Sequence, residues 1–275
     1  MGKFDNDSLG TRQKGYEAVY KQKLVPKMPI VLRIDGKAFH TFTKGMKKPF
    51  DDLLMDSMQQ TMLALCKDIP TCKLGYTQSD EITIVCICDD MKKTEGLYDY
   101  KVQKILSVIA SKATRYFNKI FFENVEKLQH DKDVFKSVVD VNVYKKKLFA
   151  AEFDCRVINI PEWDVINNLI WRQQDATRNS IQMLGQSYFS QKQLDKKNTS
   201  QIMDMLMLRE NVNWNDLATA KKRGSCCYRK ENNNNKRNPW YLDNDMPILT
   251  EEQARAKFLK IMFGNITNNP LLKEL

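Results

Sequence analysis

Two short acidic segments carry the residue types in this sequence that are best suited to chemistry. Asp35 ends an apolar run, and Asp80 and Glu81 stand between two further apolar runs. Two carboxylates brought close together repel each other and are costly to keep ionised unless cations bind between them. Paired divalent metals can lower the pKa of an attacking hydroxyl and neutralise the charge on a departing pyrophosphate. The pattern therefore favours metal-assisted phosphoryl transfer, against the alternative that Asp35 caps a turn and Asp80-Glu81 is a solvated hairpin end.

Hydrophobic periodicity predicts the elements that would position these carboxylates. The predicted order is strand 29–35, helix 51–68, strands 72–78 and 82–88 joined by a tight turn at 78–81, helix 99–121, and a strand at about 149–160. This order matches the split βαβ arrangement, in which the first and third strands are neighbours. Asp35 and Asp80 would then converge on one edge of the sheet.

The predicted fold class is α+β. Residues 1–160 are expected to form a palm-like, ferredoxin-like catalytic region, with an antiparallel sheet and helices on one face. Residues 161–275 are expected to form a mainly helical C-terminal region, integrated with the first into one domain. Its predicted features are helices at 162–171, 176–188 and 199–210, a basic hairpin near 221–230, and an asparagine-rich loop at 229–238.

Composition narrows the class of protein. The 275 residues, 42% hydrophobic, suffice for a sizeable core, and 44 Lys and Arg against 34 Asp and Glu favour a polyanionic partner such as nucleic acid. No apolar run is long enough to span a membrane. Seven cysteines without a C-x-x-C pair, beside two histidines, argue against a zinc site and for reduced core thiols. A cytoplasmic protein is expected, with a mitochondrial location left open.

An ordered set of motifs resembles the tRNA-histidine guanylyltransferase family of 3′-to-5′ polymerases. The segments are RIDGKAFH (33–40), KP (48–49), GYTQSDE (75–81), FDCR (153–156) and WRQQDA (171–176). Each alone is weak, but together they follow the family's order over about the first 190 residues. The resemblance implies a homotetramer whose palm domain extends tRNA at its 5′ end.

The resemblance also implies the active-site roles. Asp35, Asp80 and the backbone carbonyl of Gly36 would hold two Mg²⁺ ions, with Glu81 supporting them as the third catalytic carboxylate. ATP would activate a 5′-monophosphate, and the 3′-hydroxyl of an incoming nucleotide such as GTP would then displace AMP. The expected nucleotide-binding residues are Lys37, Ala38, Phe39, His40, Lys48, Ser79, Lys104 and Ser111.

Basic and amide side chains are candidates for contacts with tRNA. The candidates are Arg156, Arg172, Asn179, Lys221, Lys222 and Arg223. Lys48, Lys104, Arg156 and Arg172 are also candidate phosphate clamps. For each of these cations the alternative is a solvated or salt-bridged surface side chain.

One departure from the family pattern bears on substrate choice. Members specific for histidine tRNA carry His-Ile-Asn-Asn-Leu-Tyr-Asn after the Trp-Arg-Gln element, whereas residues 177–183 of this chain read TRNSIQM. The departure resembles the family's second branch, whose members refill truncated tRNA 5′ ends by Watson-Crick templating. Templated repair or editing is therefore preferred over addition of a single 5′ guanosine. Two alternative hypotheses of function are a palm-domain nucleotide cyclase and a non-catalytic RNA-binding protein.

Overall fold

The computed structural model describes residues 8–88, 96–131, 134–135, 140–230 and 238–264. The first half contains α1 (Ser8–Ala18), β1 (Ile30–Gly36), α2 (Phe39–Phe42), α3 (Asp52–Asp68), β2 (Cys72–Gln78), β3 (Glu81–Cys86), α4 (Val102–His130), α5 (Val141–Lys145) and β4 (Phe153–Asn159). The second half contains α6 (Val165–Tyr188), α7 (Gln191–Leu194), α8 (Thr199–Glu210), α9 (Thr219–Arg223), β5 (Ser225–Arg229), β6 (Trp240–Asp243) and α10 (Glu252–Phe263).

A six-stranded antiparallel sheet in the order β4-β1-β3-β2-β5-β6 forms the centre of the molecule. The predicted α+β fold and the neighbouring positions of the first and third strands are confirmed. The C-terminal half, predicted to be mainly helical with a basic hairpin near 221–230, contributes β5 and β6 to this sheet. The two regions predicted to meet at residue 160 therefore contribute strands to the same sheet.

Each face of the sheet is covered by its own helices. Alternate β1 residues Ile30, Leu32 and Ile34 pack with α3 and α4 in one apolar core. Val31 points the other way, into a core that contains residues of α6 and α10. Because side chains alternate along a strand, Arg33 and Asp35 share the face of Val31. The acidic end of β1 therefore opens towards the C-terminal helices.

Two details differ from the sequence-based elements. Residues 162–171 and 176–188 were expected to form two helices, but Val165–Tyr188 is one continuous helix after a short 3-10 turn. The polar run within it, residues 172–175, keeps helical geometry because Arg172 and Gln173 are buried and paired. The predicted asparagine-rich segment, residues 232–235, lies outside the described residues. Within the described part of the chain, no helix is long and apolar enough to cross a membrane.

Candidate active site

The end of β1 and the β2–β3 turn bring three carboxylates together. Asp35 lies opposite Glu81 in the β1–β3 register. Gln78 and Glu81 pair across a two-residue turn, in which Ser79 takes a left-handed conformation (φ 50°). The backbone N–H of Gly36 donates to the carbonyl of Asp80 at 3.1 Å, which ties this turn to the end of β1. The convergence expected from the split βαβ order is therefore present.

The electrostatics of this edge favour a bound cation. Burial raises the pKa of Asp80, and the charge of Asp35 raises it further, although the Ser79 hydroxyl opposes both by donating to Oδ1 at 3.0 Å. Burial likewise raises the pKa of Glu81, with Asp35 adding to the effect and the Arg172 and Arg33 charges opposing it. Positive charge placed between neighbouring carboxylates stabilises their ionised form.

Magnesium fits this donor set. The described residues contain no group of three or more His, Cys, Asp or Glu side chains placed to hold a metal ion. Mg²⁺ does not need one, because it is commonly bound through one or two carboxylates, waters and substrate phosphates. Asp35, Asp80 and the carbonyl of Gly36 supply hard oxygen donors at one edge of the sheet.

Arg172 holds Glu81 and is withdrawn from solvent. Its Nη1 lies 3.0 Å from Oε2 of Glu81 and 3.5 Å from Oδ2 of Asp175, while its guanidinium carbon lies 3.5 Å from the Trp171 ring centroid. Only 5% of Arg172 is exposed. The expectation that Arg172 contacts RNA is therefore corrected: α6 uses it to position a site carboxylate.

A fourth carboxylate was missed by the sequence reasoning as a site residue. Asp154 on β4 lies opposite Asp35, so that Asp154, Asp35 and Glu81 form a row across three strands. Arg156, two residues further along β4, lies opposite Arg33 and places its Nε 3.7 Å from Oδ1 of Asp154. The sequence offered one signal for this: Asp154 and Arg156 are two residues apart, so on a strand antiparallel to β1 they would face Asp35 and Arg33. Arg156 is exposed and stands beside the carboxylate row.

A cleft beside the carboxylates gathers several predicted residues. Its polar lining includes Ser79, Asn179, Lys221 and Lys222, and its apolar lining includes Leu54, Met55 and Met183. Lys48 is exposed, and it immediately precedes the cleft residues Pro49, Phe50 and Asp51 in the sequence. Asp51 fixes this side of the cleft. Its carboxylate caps α3 by accepting a hydrogen bond from the Leu54 N–H at 2.9 Å, and it accepts another from the Tyr144 hydroxyl.

The cations of α9 are tied to the scaffold around this cleft. Lys221 Nζ lies 2.9 Å from Oδ1 of Asp52, and Lys222 Nζ donates to the Asn215 carbonyl at 2.6 Å. The carbonyl of Arg223 accepts the Tyr76 hydroxyl at 2.8 Å. These residues form a short helix leading into β5, where a basic hairpin had been expected.

The RIDGKAFH segment splits into exposed and buried residues. Lys37, Ala38 and His40 are exposed, and Lys37 Nζ lies 2.5 Å from Oε2 of Glu152. Phe39 is 4% exposed and packs against the rings of Phe42, Phe117 and Phe153. The expected nucleotide contact from the Phe39 side chain is therefore corrected, because this ring belongs to the core.

Lys104 and Ser111 lie at different distances from the carboxylate end of α4. Thr114 marks the carboxylate end of α4, because its hydroxyl accepts from the N–H of Phe153, which pairs with Gly36. Lys104 lies ten residues earlier, or about 15 Å along the helix, beside the Tyr98 ring. Ser111 is exposed and lies three residues, or about one helical turn, before Thr114. Sequence order alone could not show which end of this long helix faces the site.

Fold and site define a palm-type α+β protein with carboxylates grouped at the strand ends beside a cleft. Residues 10–161 match the family model described as tRNAHis guanylyltransferase, which is more than half of the chain. The chain therefore belongs to the tRNAHis guanylyltransferase family, whose members are nucleotidyltransferases.

Solved structures and a curated relative agree with this assignment. A bacterial tRNA(His) guanylyltransferase-like protein in complex with ATP is 38% identical, with a TM-score of 0.78 over 94% of this chain and 100% of that one. One in complex with GTP is 35% identical, with a TM-score of 0.73 over the same shares. A probable tRNA(His) guanylyltransferase of Dictyostelium discoideum is 27% identical over 73% of this chain and 75% of its own length.

Proposed function

We propose that this chain is a template-dependent 3′-to-5′ nucleotidyltransferase that repairs or edits tRNA 5′ ends, with ATP and GTP among its substrates and two Mg²⁺ ions in its site. The observation that carries this proposal is the meeting of Asp35, Asp80 and Glu81 at one sheet edge, beside a cleft with apolar walls and basic residues. The ATP and GTP complexes of the similar bacterial proteins support nucleoside triphosphates as ligands of such a site.

The proposed reaction has two transfers at phosphorus. In the first, the 5′-phosphate of tRNA attacks the α-phosphorus of ATP, forms a 5′-adenylylated end and releases pyrophosphate. In the second, the 3′-hydroxyl of the incoming nucleotide attacks the activated 5′-phosphorus and releases AMP. Magnesium held by Asp35, Asp80 and the Gly36 carbonyl would neutralise charge on the transferred and departing groups.

The residues of the chain itself position the reactants. Arg172 holds the Glu81 carboxylate on the cleft side of the sheet, where it adds negative charge near the metal ligands. Arg156 is exposed beside the carboxylate row, where it can attract a triphosphate. Leu54, Met55 and Met183 provide apolar surface suited to a nucleobase, with Ser79 and Asn179 as polar neighbours.

The hypothesis of templated repair is supported by the position of residues 177–183, the segment that differs from the members specific for histidine tRNA. Asn179, Ser180 and Met183 line the same cleft as Ser79. Ser180 is fixed there, because its hydroxyl donates to the Lys221 carbonyl at 2.7 Å and accepts the Trp214 indole N–H at 3.0 Å. A change of sequence in this segment therefore alters the surface next to the reacting groups, where the choice between templated and untemplated addition would be made.

The test uses a tRNA that lacks its first nucleotide, prepared with each of the four opposing bases. The protein is incubated with Mg²⁺, ATP and all four nucleotides, and Asp80→Ala serves as the control for contaminating activity. Products that follow the opposing base and disappear with Asp80→Ala support the proposal. Guanosine addition regardless of that base would move the protein to the histidine-identity branch, and no product on any tRNA would support RNA binding alone.

A homotetramer is part of the same proposal. It rests on the family membership, and light scattering after size-exclusion chromatography measures it directly. A mass near four times the 32.2 kDa chain is expected, and a stable monomer that still extends tRNA would contradict it.

A further inference from the structure

A second basic surface lies at the other end of the sheet. Residues of β2, β5, β6 and α10 line a groove that we call the α10 groove. Among its described lining residues, the charged ones are five cations and a single carboxylate: Lys73, Arg229, Lys230, Lys257, Lys260 and Asp243. Asp243 is 8% exposed and accepts the Tyr228 hydroxyl at 3.1 Å. The accessible charge of the groove is therefore positive.

Aromatic rings alternate with these cations. Lys230 Nζ lies 4.9 Å from the Tyr241 ring centroid, and Lys257 Nζ lies 5.6 Å from that of Tyr228. The Arg229 guanidinium lies 4.9 Å from the ring of Trp240, its cross-strand neighbour on β6. Tyr241 is 41% exposed. Cations that attract phosphates beside rings that can stack on bases or sugars are the combination by which proteins bind RNA.

The α10 groove is well separated from the carboxylates. Asp35, Glu81 and Gln78 share one cross-strand row, whereas Leu74, Tyr228 and Tyr241 share another. The rows are four residues apart along β2, and β1 is four strand positions from β6. With about 3.3 Å per residue and about 4.8 Å between strands, the two sites are roughly 20–25 Å apart.

We propose that the α10 groove binds the body of the tRNA, away from the 5′ end that reacts at the carboxylates. This inference rests on the proposed function. Its consequence is selectivity by substrate size: a whole tRNA engages both sites, whereas a short acceptor-stem duplex engages the carboxylate site alone. Because no residue of the groove belongs to the active site, the groove contributes to binding and leaves the chemical step unchanged.

The experiment compares kcat and KM on a whole 5′-truncated tRNA and on a duplex containing only its acceptor stem. The test variant carries Arg229→Gln, Lys230→Gln and Lys257→Gln. A matched variant, Lys192→Gln, Lys196→Gln and Lys197→Gln, removes the same charge from exposed lysines around α7. Thermal melting of both variants shows whether they fold like the parent protein. Binding of labelled tRNA at several salt concentrations is measured in parallel, so that binding is assessed independently of catalysis.

The expected result is selective for the large substrate. KM for whole tRNA rises roughly tenfold in the test variant, and the salt slope of tRNA binding falls by up to about three, one for each lost phosphate contact. The acceptor-stem duplex and the matched variant behave like the parent. Equal losses on both substrates, or none, would overturn the inference, as would a changed oligomeric state with unchanged tRNA binding, which would make the groove a protein interface.

The two proposals fail in different ways. If the parent protein extends no RNA but its tRNA binding depends on the groove cations, the proposed function fails and the groove assignment stands. If extension is normal and the test variant matches the parent on whole tRNA, the groove assignment fails and the proposed function stands.

Discussion

The Arg172 guanidinium and the Glu81 carboxylate form an ion pair at 3.0 Å, with only 6% and 11% of their side chains exposed. The pair joins the middle of α6 to the start of β3, and so fixes the C-terminal helices over the acidic edge of the sheet. The pair therefore fixes the position of a carboxylate that lies opposite Asp35 in the strand register.

Removal of Arg172 is expected to destabilise the protein strongly. Arg172→Met leaves Glu81 buried without its partner, which costs roughly 3–5 kcal/mol in the free energy of unfolding. Adding Glu81→Gln should recover part of this loss, because the uncompensated charge is then gone. Urea denaturation at neutral pH measures both variants. A loss below about 1 kcal/mol for Arg172→Met would show that the pair is not structural and would reopen the RNA-binding reading.

Asp80 is expected to link stability to pH and to magnesium. Its pKa is raised in the folded protein, so the folded state holds this proton more tightly than the unfolded state does. The contribution of Asp80 to stability is therefore greatest at low pH and is lost as the pH rises from about 4 through the raised pKa. Without divalent cations, Asp80→Asn should melt at a higher temperature than the parent at neutral pH.

Magnesium should reverse that order. A cation whose free concentration is 100 times its dissociation constant stabilises the folded parent protein by about 2.7 kcal/mol. The same addition should have little effect on Asp80→Asn, because this variant lacks one of the proposed metal ligands. Thermal melting with and without Mg²⁺ tests this without relying on activity. Equal magnesium shifts in the two proteins would place the metal elsewhere.

Gly36 is expected to tolerate no side chain. A Cβ at this position would overlap the ring of Phe39, which cannot move aside because it packs against Phe117 and Phe153. Gly36→Ala should therefore cost about 1–3 kcal/mol and displace the backbone next to Asp35, with loss of extension activity. Gly15→Ala is the control, since nothing lies within 4 Å of a Cβ there. It should be neutral or slightly stabilising in α1.

Sequence patterns predicted the acidic edge well because they depend on local periodicity. The strand ending at Asp35 and the hairpin carrying Asp80 and Glu81 are short apolar runs, and the split βαβ order places them side by side. The contacts of Arg172 could not be predicted in this way. Its burial depends on α6 crossing the sheet at the height of Glu81, 91 positions away in the chain. The pairing of β5 with β2 was missed for a related reason, since it joins segments far apart in sequence.

Substitutions of the neighbouring residues Phe39 and His40 are expected to differ in their effect on stability. Phe39→Ala removes a ring from the aromatic core and should cost about 3–5 kcal/mol in stability. His40 is exposed, so His40→Ala should change stability by no more than about 0.5 kcal/mol. If His40 contacts nucleotide as the family resemblance implies, the KM for ATP rises in His40→Ala at unchanged stability. An unchanged KM would remove His40 from the site.

Lys221 and Lys222 are expected to contribute to tRNA or nucleotide binding from fixed positions. Both line the cleft with Ser79, and their anchors at Asp52 and the Asn215 carbonyl reduce the entropy lost when a phosphate binds. Replacing both with Gln should weaken binding and lower the salt slope of tRNA affinity by up to about two. Asp52→Asn provides the matched control: it frees Lys221 while keeping its charge, so affinity should fall through lost positioning with the slope retained. A double Gln variant whose slope equals that of the parent would show that neither lysine contacts phosphate. Lys221 would then have the structural role of holding α9 against α3, and Lys222 that of holding α9 against the Asn215 backbone.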